Sequence, residues 1–244
     1  MDKKTIAITG SGGLAQATAA LFLQQGWEVF MLAKTDHNFF SSHEKKSAFH
    51  FLFCDLTDPA QVALAFSTLR QHSPQLHALV HAAVSPIIGK PLATMTPEEF
   101  VSEFAVDVFG GFSVFQQAAT LMRQQKFGSI VGLSSIYTNE GVAHPALAGY
   151  VSAKYALRGL LRELAIELAP AGVRVNAVAP SFVRTKLTAE VPERMIEFIK
   201  EKNPMHSLTT PEDVAEVIFF LCSEKAQALT GLHIPIAYGE SINL

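Results

Sequence analysis

The sequence contains little cysteine and no long run of basic or of apolar residues. Its only cysteines, Cys54 and Cys222, lie too far apart to form a disulfide framework, and Cys54 follows an apolar run typical of a buried position. With a net charge of −3 and no basic run, the sequence argues against a nucleic-acid partner. No signal peptide, membrane-length apolar stretch or metal-ligand spacing is found. We therefore expect a cytoplasmic protein that binds no membrane, nucleic acid or metal.

Apolar residues make up 49% of the 244 residues, enough for a large core without crosslinks. Short apolar runs alternate with helix signals along the chain, which predicts a parallel sheet covered by helices on both faces. We expect a single α/β domain over residues 1–244. The predicted strands are Thr5–Thr9, Val29–Ala33, Phe49–Phe53, Leu76–His81, Ser129–Leu133, Val173–Ala179 and Leu232–Ile236.

Helix signals lie between these strands. Capping residues followed by proline predict helix starts at Asp58, Thr96 and Thr210. Helices are also predicted at Leu14–Gln25, before Gly26, and at Tyr150–Ala169. Residues 34–48 lack helical periodicity, so we expect a polar loop and a reduced crossover there.

A glycine-rich run, Thr9–Ala15, joins the first predicted strand to the first helix. Gly10, Gly12 and Ala15 have the spacing of a dinucleotide-binding loop, which tolerates alanine in the third place. Such a loop binds phosphate through backbone N–H groups at a helix N-terminus. A tight strand-to-helix turn is the structural alternative. The predicted cofactor contacts here are Gly10, Ser11, Gly12, Gly13 and Leu14.

The residues that end the second strand bear on the choice of cofactor. NAD-specific loops are followed about 20 residues later by an acid that binds the ribose 2′-OH. Ala33 and Lys34 occupy this place, and a cation there suits a 2′-phosphate. We therefore favour NADP(H) over NAD(H). The alternatives are an ordinary solvated lysine at Lys34 and a ribose contact from Asp36.

Tyr150 and Lys154 lie one turn apart at the start of a predicted helix, and so share a face. A phenol with a pKa near 10 exchanges protons near neutral pH only if that pKa is lowered, and a nearby ammonium has this effect. Alone, such a pair is usually an ordinary surface pair. Its context differs, because a strand ending in Ser134 and Ser135 precedes it, and ligands bind at the carboxyl ends of parallel strands.

Over nearly its whole length the sequence resembles the short-chain dehydrogenase/reductases. The resemblance implies a seven-stranded Rossmann-type, doubly wound sheet in homodimers or homotetramers, and hydride transfer between nicotinamide and a carbonyl carbon. It implies Tyr150 as general acid/base, Ser135 as the residue that positions the substrate oxygen, and Lys154 on the nicotinamide ribose. The motifs that carry it are Thr9-Gly10 to Gly13, Asp55, Ser135, Tyr150-x-x-x-Lys154, Asn176-x-x-x-Pro180, Val183-Arg184-Thr185, Pro211 to Ala215 and Thr230-Gly231.

The same resemblance extends the set of cofactor contacts. It implies that Asp55 lies near the adenine and Thr185 near the nicotinamide end. The remaining expected contacts are Lys34, Leu56, Ala82, Tyr150, Lys154, Pro180 and Val183.

Four departures from the family pattern are visible. The glycine loop is one residue shorter than in most family members. The family's Asn-Asn-Ala-Gly motif is replaced by His81 to Val84, and its Val-Asp-Gly-Gly motif is replaced by Ile236 to Gly239. Asp107 replaces an asparagine that helps to hold a water in the family's proton relay, and we count it with the catalytic residues. An ionised Asp107 could pair with Lys154 and weaken the effect of that lysine on Tyr150, or it could still accept a hydrogen bond from the relay water.

Two histidines lie where a catalytic role has to be considered. His81 ends a strand, where we expect a hydrogen-bonded structural residue. His144 lies in the loop between Ser135 and Tyr150, where substrate contact is the alternative to a surface position.

Apolar residues in segments 84–95, 136–148 and 186–205 suggest a medium-sized, partly apolar carbonyl or alcohol substrate. A fatty-acid 3-oxoacyl carrier substrate fits the chain length, but Ala171 lacks the basic character of those relatives. The alternative function is a non-catalytic NADP(H) sensor or assembly subunit. Another Rossmann enzyme, such as a methyltransferase, would leave the tyrosine–lysine pair unused.

Overall fold

Seven parallel strands form one sheet in the computed structural model, which describes residues 3–36, 46–139 and 145–241. Their order across the sheet is β3-β2-β1-β4-β5-β6-β7. The order reverses between β1 and β4, the switch point at which doubly wound sheets bind ligands. The strands are β1 (Thr5–Thr9), β2 (Glu28–Ala33), β3 (Phe49–Phe53), β4 (Ala78–His81), β5 (Gly128–Leu133), β6 (Val173–Pro180) and β7 (His233–Ile236).

Helices cover both faces of the sheet, as the alternating pattern predicts. A π-helix, Ala105–Gly110, continues directly into α4, and short 3₁₀ turns such as Lys46–Ala48 and Ile136–Thr138 join other elements. No helix in the described ranges has the length and apolarity needed to cross a membrane. The α-helices are α1 (Gly13–Gln24), α2 (Pro59–His72), α3 (Pro97–Ser102), α4 (Gly111–Gln125), α5 (Ala148–Leu168), α6 (Glu193–Lys202) and α7 (Pro211–Cys222).

Each face of the sheet carries its own apolar core. Successive side chains of a strand point to opposite faces, so Ala7 packs with Phe30 on one face, whereas Ile6 and Ile8 pack with Phe22 on the other. The two outer strands, β3 and β7, are largely half-buried, whereas the inner strands are buried. Phe53 at the end of β3 is 66% exposed, because an edge strand has a neighbour on one side only.

The predicted helix starts are confirmed. Asp58 accepts a hydrogen bond from the N–H of Ala60 at 2.9 Å, while Thr96 and Thr210 each form a capping box. α5 begins at Ala148, two residues before the predicted start. Cys54 is buried as expected, and burial raises the pKa of its thiol to about 11. Part of the predicted loop, residues 37–45, lies outside the described residues.

The capping box of α7 provides a test of these helix starts. We expect Thr210→Ala to lower the free energy of unfolding by about 1 kcal/mol, since the N–H of Asp213 loses its acceptor. For a chain of this size the melting temperature should fall by about 2–4 °C. Thr68→Ala, inside α2, is the matched control and should be nearly neutral. Equal melting temperatures for the two variants would contradict the capping role.

Candidate active site

The glycine loop closes tightly onto the end of β4. Gly10 has a φ of +85°, and a Cβ there would lie 2.9 Å from the Cα of Ala83, so only glycine fits without strain. A Cβ on Gly12 would meet nothing within 4 Å. Gly12 is the N-cap of α1, and the open space beside it lies at a helix N-terminus. The loop therefore offers room and backbone N–H groups for a phosphate.

A groove runs from this loop along the carboxyl ends of β2, β3 and β4. At its far end Lys34 Nζ lies 2.9 Å from Asp55 Oδ2, and this contact lowers the pKa of the Asp55 carboxyl to about 2. The Lys34 side chain is mostly exposed, so the pair is held loosely. The predicted cofactor contacts that line this groove are Gly10, Ser11, Gly12, Lys34, Asp55, Leu56 and Ala82.

The predicted contacts after β6 lie on the other side of the loop. Thr185 faces Gly13, because a Cβ on that glycine would lie 3.0 Å from the Thr185 methyl carbon. Pro180 ends β6 beside Ile236 of β7, and the chain beyond it is fixed by a bridge between Val183 and Thr209. Leu14, within α1, packs against the core on that face of the sheet. The glycine loop thus lies between the groove and the segment that carries Thr185.

Ser135, Tyr150 and Lys154 come from β5 and α5. Ser135 follows β5, is buried, and accepts a hydrogen bond from the N–H of Tyr137 at 3.3 Å. Tyr150 is half-buried in the first turn of α5, and the Lys154 ammonium lies 5.7 Å from the centre of its ring. The Lys154 Nζ also donates to the carbonyl oxygen of Leu133 at 2.8 Å. α5 therefore presents its tyrosine and lysine at the carboxyl end of β5.

Asp107 forms a buried ion pair with Lys154. The Lys154 Nζ and the Asp107 Oδ1 are 2.7 Å apart, and the two side chains are only 4% and 2% exposed. Burial alone would lower the lysine pKa, but the charges of Asp107 and Tyr150 outweigh it, so the pKa of Lys154 is raised. Of the two interpretations left open by the sequence, the structure has the ion pair.

The π-helix and the chain after β4 fix the Asp107 carboxylate. The N–H groups of Val108 and Phe109 both donate to the Phe104 carbonyl, which widens the turn that carries Asp107. Asp107 Oδ2 accepts a hydrogen bond from the N–H of Ser85 at 2.7 Å, and the Ser85 hydroxyl accepts one from Val106. The role of Ser85 was not predicted from the sequence, since no motif marks this residue.

His81 is the structural residue that we expected. It is fully buried; its Nε2–H donates to the Asp107 carbonyl at 3.3 Å, and its Nδ1 accepts from the Thr9 hydroxyl at 2.8 Å. Burial lowers its pKa to about 4, so the imidazole is neutral at neutral pH. His144, by contrast, lies outside the described residues. Among the residues described, no three His, Cys, Asp or Glu side chains cluster as metal ligands.

Comparison with known proteins assigns this geometry to a family. A family model described as enoyl-(acyl carrier protein) reductase matches residues 8–241. The chain belongs to the short-chain dehydrogenase/reductase family. It is 32% identical to the 3-oxoacyl-[acyl-carrier-protein] reductase FabG of Rickettsia felis over 239 residues, which cover 97% of this chain and 96% of that one.

Solved structures of this family agree with the fold. The 3-ketoacyl-(acyl-carrier-protein) reductase of Brucella melitensis, complexed with NADH, matches with a TM-score of 0.89 and 26% identity over 98% of both chains. ElxO with NADP bound matches with a TM-score of 0.90 and 28% identity, over 98% of this chain and 99% of that one. The protein is therefore an NAD(P)-dependent oxidoreductase of this family.

The buried ion pair makes a prediction about stability. Removing one partner leaves a buried charge unpaired, so Lys154→Met should lower the free energy of unfolding by about 3–5 kcal/mol. Adding Asp107→Asn should restore much of that loss, because the second buried charge is then gone. Urea denaturation of both single variants and the double variant measures the coupling between the two sites.

The exposed pair Lys4–Glu224 is the matched control for this cycle. Its coupling should stay below about 1 kcal/mol. Additive losses at Lys154 and Asp107 would contradict the ion pair.

Proposed function

We propose that the protein transfers a hydride between NADP(H) and a carbonyl or hydroxyl carbon, with Tyr150 as the general acid/base. The observation that supports this most directly is the placement of Tyr150 and Lys154 in the first turns of α5. There Lys154 donates to the carbonyl of Leu133, two residues before Ser135, at the end of the sheet that carries the glycine loop. This edge of a parallel sheet is where such folds bind ligands.

The residues around the glycine loop suit a dinucleotide. Gly12 leaves open space at the N-terminus of α1, and Gly10 allows the loop to pack on Ala83. In this proposal Gly10, Ser11, Gly12, Gly13 and Leu14 hold the phosphates, whereas Leu56 and Ala82 line the adenine side. Pro180, Val183 and Thr185 border the nicotinamide end, where the cofactor supplies or accepts the hydride.

Lys34 supports the preference for NADP(H). Lys34 follows the last residue of β2, and its ammonium lies beside the groove. Because its side chain is mostly exposed, the ion pair with Asp55 can be replaced by one with a 2′-phosphate at small cost in free energy. Such a phosphate carries more charge than one carboxylate and offers several acceptor oxygens. Asp55 then keeps its hydrogen bonds from the N–H and hydroxyl of Thr57, at 3.0 and 2.7 Å.

The proposed proton transfer uses groups of this chain alone. Ser135 Oγ accepts from the backbone N–H of Tyr137, which leaves the serine hydrogen to donate to a substrate oxygen. Tyr150 gives its phenolic proton to that oxygen during reduction and recovers it during oxidation. Lys154, fixed by Leu133 and Asp107, keeps a positive charge beside the phenol and would hold the cofactor ribose. Asp107 acts through Lys154.

The surface near this site favours a medium-sized, partly apolar substrate. In α6, Ile196 is buried, while Met195 and Phe198 are about half exposed. This helix therefore buries one of these apolar side chains and leaves the other two accessible to a ligand. The relatives named 3-oxoacyl reductases make 3-oxoacyl thioesters one class to test. We also expect a homodimer or homotetramer, since the end of the π-helix and the start of α4 expose Phe109 and Phe112.

Replacing the phenol tests the acid/base assignment. Tyr150→Phe should lower kcat on any accepted carbonyl by about 10²–10⁴-fold, because the proton donor is lost. NADPH affinity, measured by fluorescence titration, should change less than twofold. Tyr155→Phe, an exposed tyrosine of the same helix, is the control and should keep full activity. Retained turnover in Tyr150→Phe would refute the assignment.

NADPH binding by the unmodified protein, with no turnover on ketones, quinones or 3-oxoacyl thioesters, would favour a sensor.

Reversing the charge at Lys34 tests the cofactor preference. Lys34→Asp should raise the Kd of NADPH at least 10-fold and leave that of NADH nearly unchanged, because only NADPH carries the 2′-phosphate. Lys225→Asp, in the turn after α7, has the same charge change and should alter neither Kd. An unchanged ratio of the two constants in Lys34→Asp would rule out the phosphate contact.

A further inference from the structure

Glu103 is a buried carboxylate that the proposed mechanism does not use. It lies between α3 and the π-helix and is only 2% exposed. Its Oε1 accepts a hydrogen bond from the N–H of Ile88, in the segment after β4, at 2.8 Å. A buried carboxylate is costly unless several groups compensate it, so the surroundings of Glu103 indicate its role.

The second oxygen of Glu103 faces the start of α5. A Cβ on Gly149 would lie 1.8 Å from Oε2, so the carboxylate occupies the space that a side chain at 149 would need. The N–H of Tyr150 lies close to the carboxylate, and this contact, like the hydrogen bond from Ile88, lowers the pKa of Glu103. Burial and the charge of Asp107 outweigh both contacts, and the pKa remains raised.

α5 needs this acceptor because its own N-cap provides none. Leu147 is the N-cap residue and makes no side-chain capping bond. The first N–H groups of a helix have no partner within the helix, and the helix dipole favours an anion at that end. Glu103 supplies such an anion from 46 positions earlier in the chain than Gly149.

Glu103 and Asp107 connect the same two segments. Asp107 binds the N–H of Ser85 and the ammonium of Lys154, whereas Glu103 accepts from the N–H of Ile88 and lies against Gly149 and the N–H of Tyr150. Tyr150 and Lys154 are one turn apart in α5. Two carboxylates thus hold segment 85–88 against the two residues of α5 on which the proposed reaction depends.

We propose that Glu103 is a positioning residue that fixes the backbone of Tyr150 relative to segment 85–88, and that Gly149 is required to admit its carboxylate. The inference rests on the proposed function, because positioning matters for turnover only if Tyr150 transfers the proton. An apolar residue at 103 would remove the acceptor of the Ile88 N–H and the carboxylate that lies beside the N–H of Tyr150. A glutamine carries only one acceptor oxygen, and its amide N–H₂ would oppose one of these N–H groups.

A double-variant cycle tests the proposal. With Glu103 present, Gly149→Ala should lower kcat at least 10-fold, because the added methyl displaces the carboxylate. Glu103→Ala should lower kcat to a similar extent and change the Kd of NADPH less than twofold. In the Glu103→Ala background, Gly149→Ala should have less than a twofold further effect. Glu98→Ala, an exposed acid of α3, is the control and should keep full activity.

Hydrogen exchange gives a readout that needs no turnover. Peptides containing Ile88 and Tyr150 should exchange at least 10-fold faster in Glu103→Ala, while the rest of α5 keeps its protection. Should Glu103→Ala fail to fold, Glu103→Ser, whose side chain is also too short to reach Gly149, replaces it in the cycle with the same expectations. Absence of turnover in the unmodified protein would refute the proposed function, and the exchange data would still decide the role of Glu103.

Two results would overturn the positioning role. One is an equal effect of Gly149→Ala with and without Glu103, which would mean that the two residues do not share this space. The other is a parallel loss of kcat and NADPH affinity in Glu103→Ala, which would indicate a general loss of structure.

Discussion

The buried ammonium of Lys154 is the constraint on which the arrangement of the site depends. A buried charge is costly unless other groups compensate it, and here the ammonium has both a partner with a negative charge and a further acceptor. Asp107 provides the first and the Leu133 carbonyl the second. These contacts join α5, the π-helix and β5, and they fix three separate parts of the chain at one point.

The π-helix determines where Asp107 lies relative to Lys154. A regular helix continuing from α3 into α4 would place Asp107 on a different part of the helix surface, since each residue advances by a constant angle. The wider turn shifts that register by one residue and brings the carboxylate to Lys154 and to the N–H of Ser85. Glu103, at the end of α3 just before this turn, accepts a hydrogen bond from the N–H of Ile88. The irregular backbone and the two buried acids are therefore parts of one arrangement.

Most of the fold could be predicted from the sequence because its signals are local. Apolar runs marked the seven strands to within two residues, and caps such as Thr210 marked helix starts. The sequence left the partner of Lys154 open between two alternatives, because the contact of Asp107 depends on the register of a π-helix for which no motif exists. Glu103 was missed for a related reason. Its partners, Ile88 and Tyr150, are brought to it only by the packing of three elements.

The departures at His81 and Asp107 are best understood together, because the two residues touch. The His81 Nε2–H donates to the Asp107 carbonyl, and its other nitrogen accepts from Thr9 at the end of β1. Burial keeps this imidazole neutral, in spite of the attraction of the Asp107 charge, since it lowers the pKa of His81 to about 4. A charged histidine would bring a second cation to the pair, whereas the neutral ring supplies a hydrogen bond without disturbing the charge balance between Asp107 and Lys154. The two departures thus meet at one place, where a neutral donor supports the helix turn that carries the buried anion.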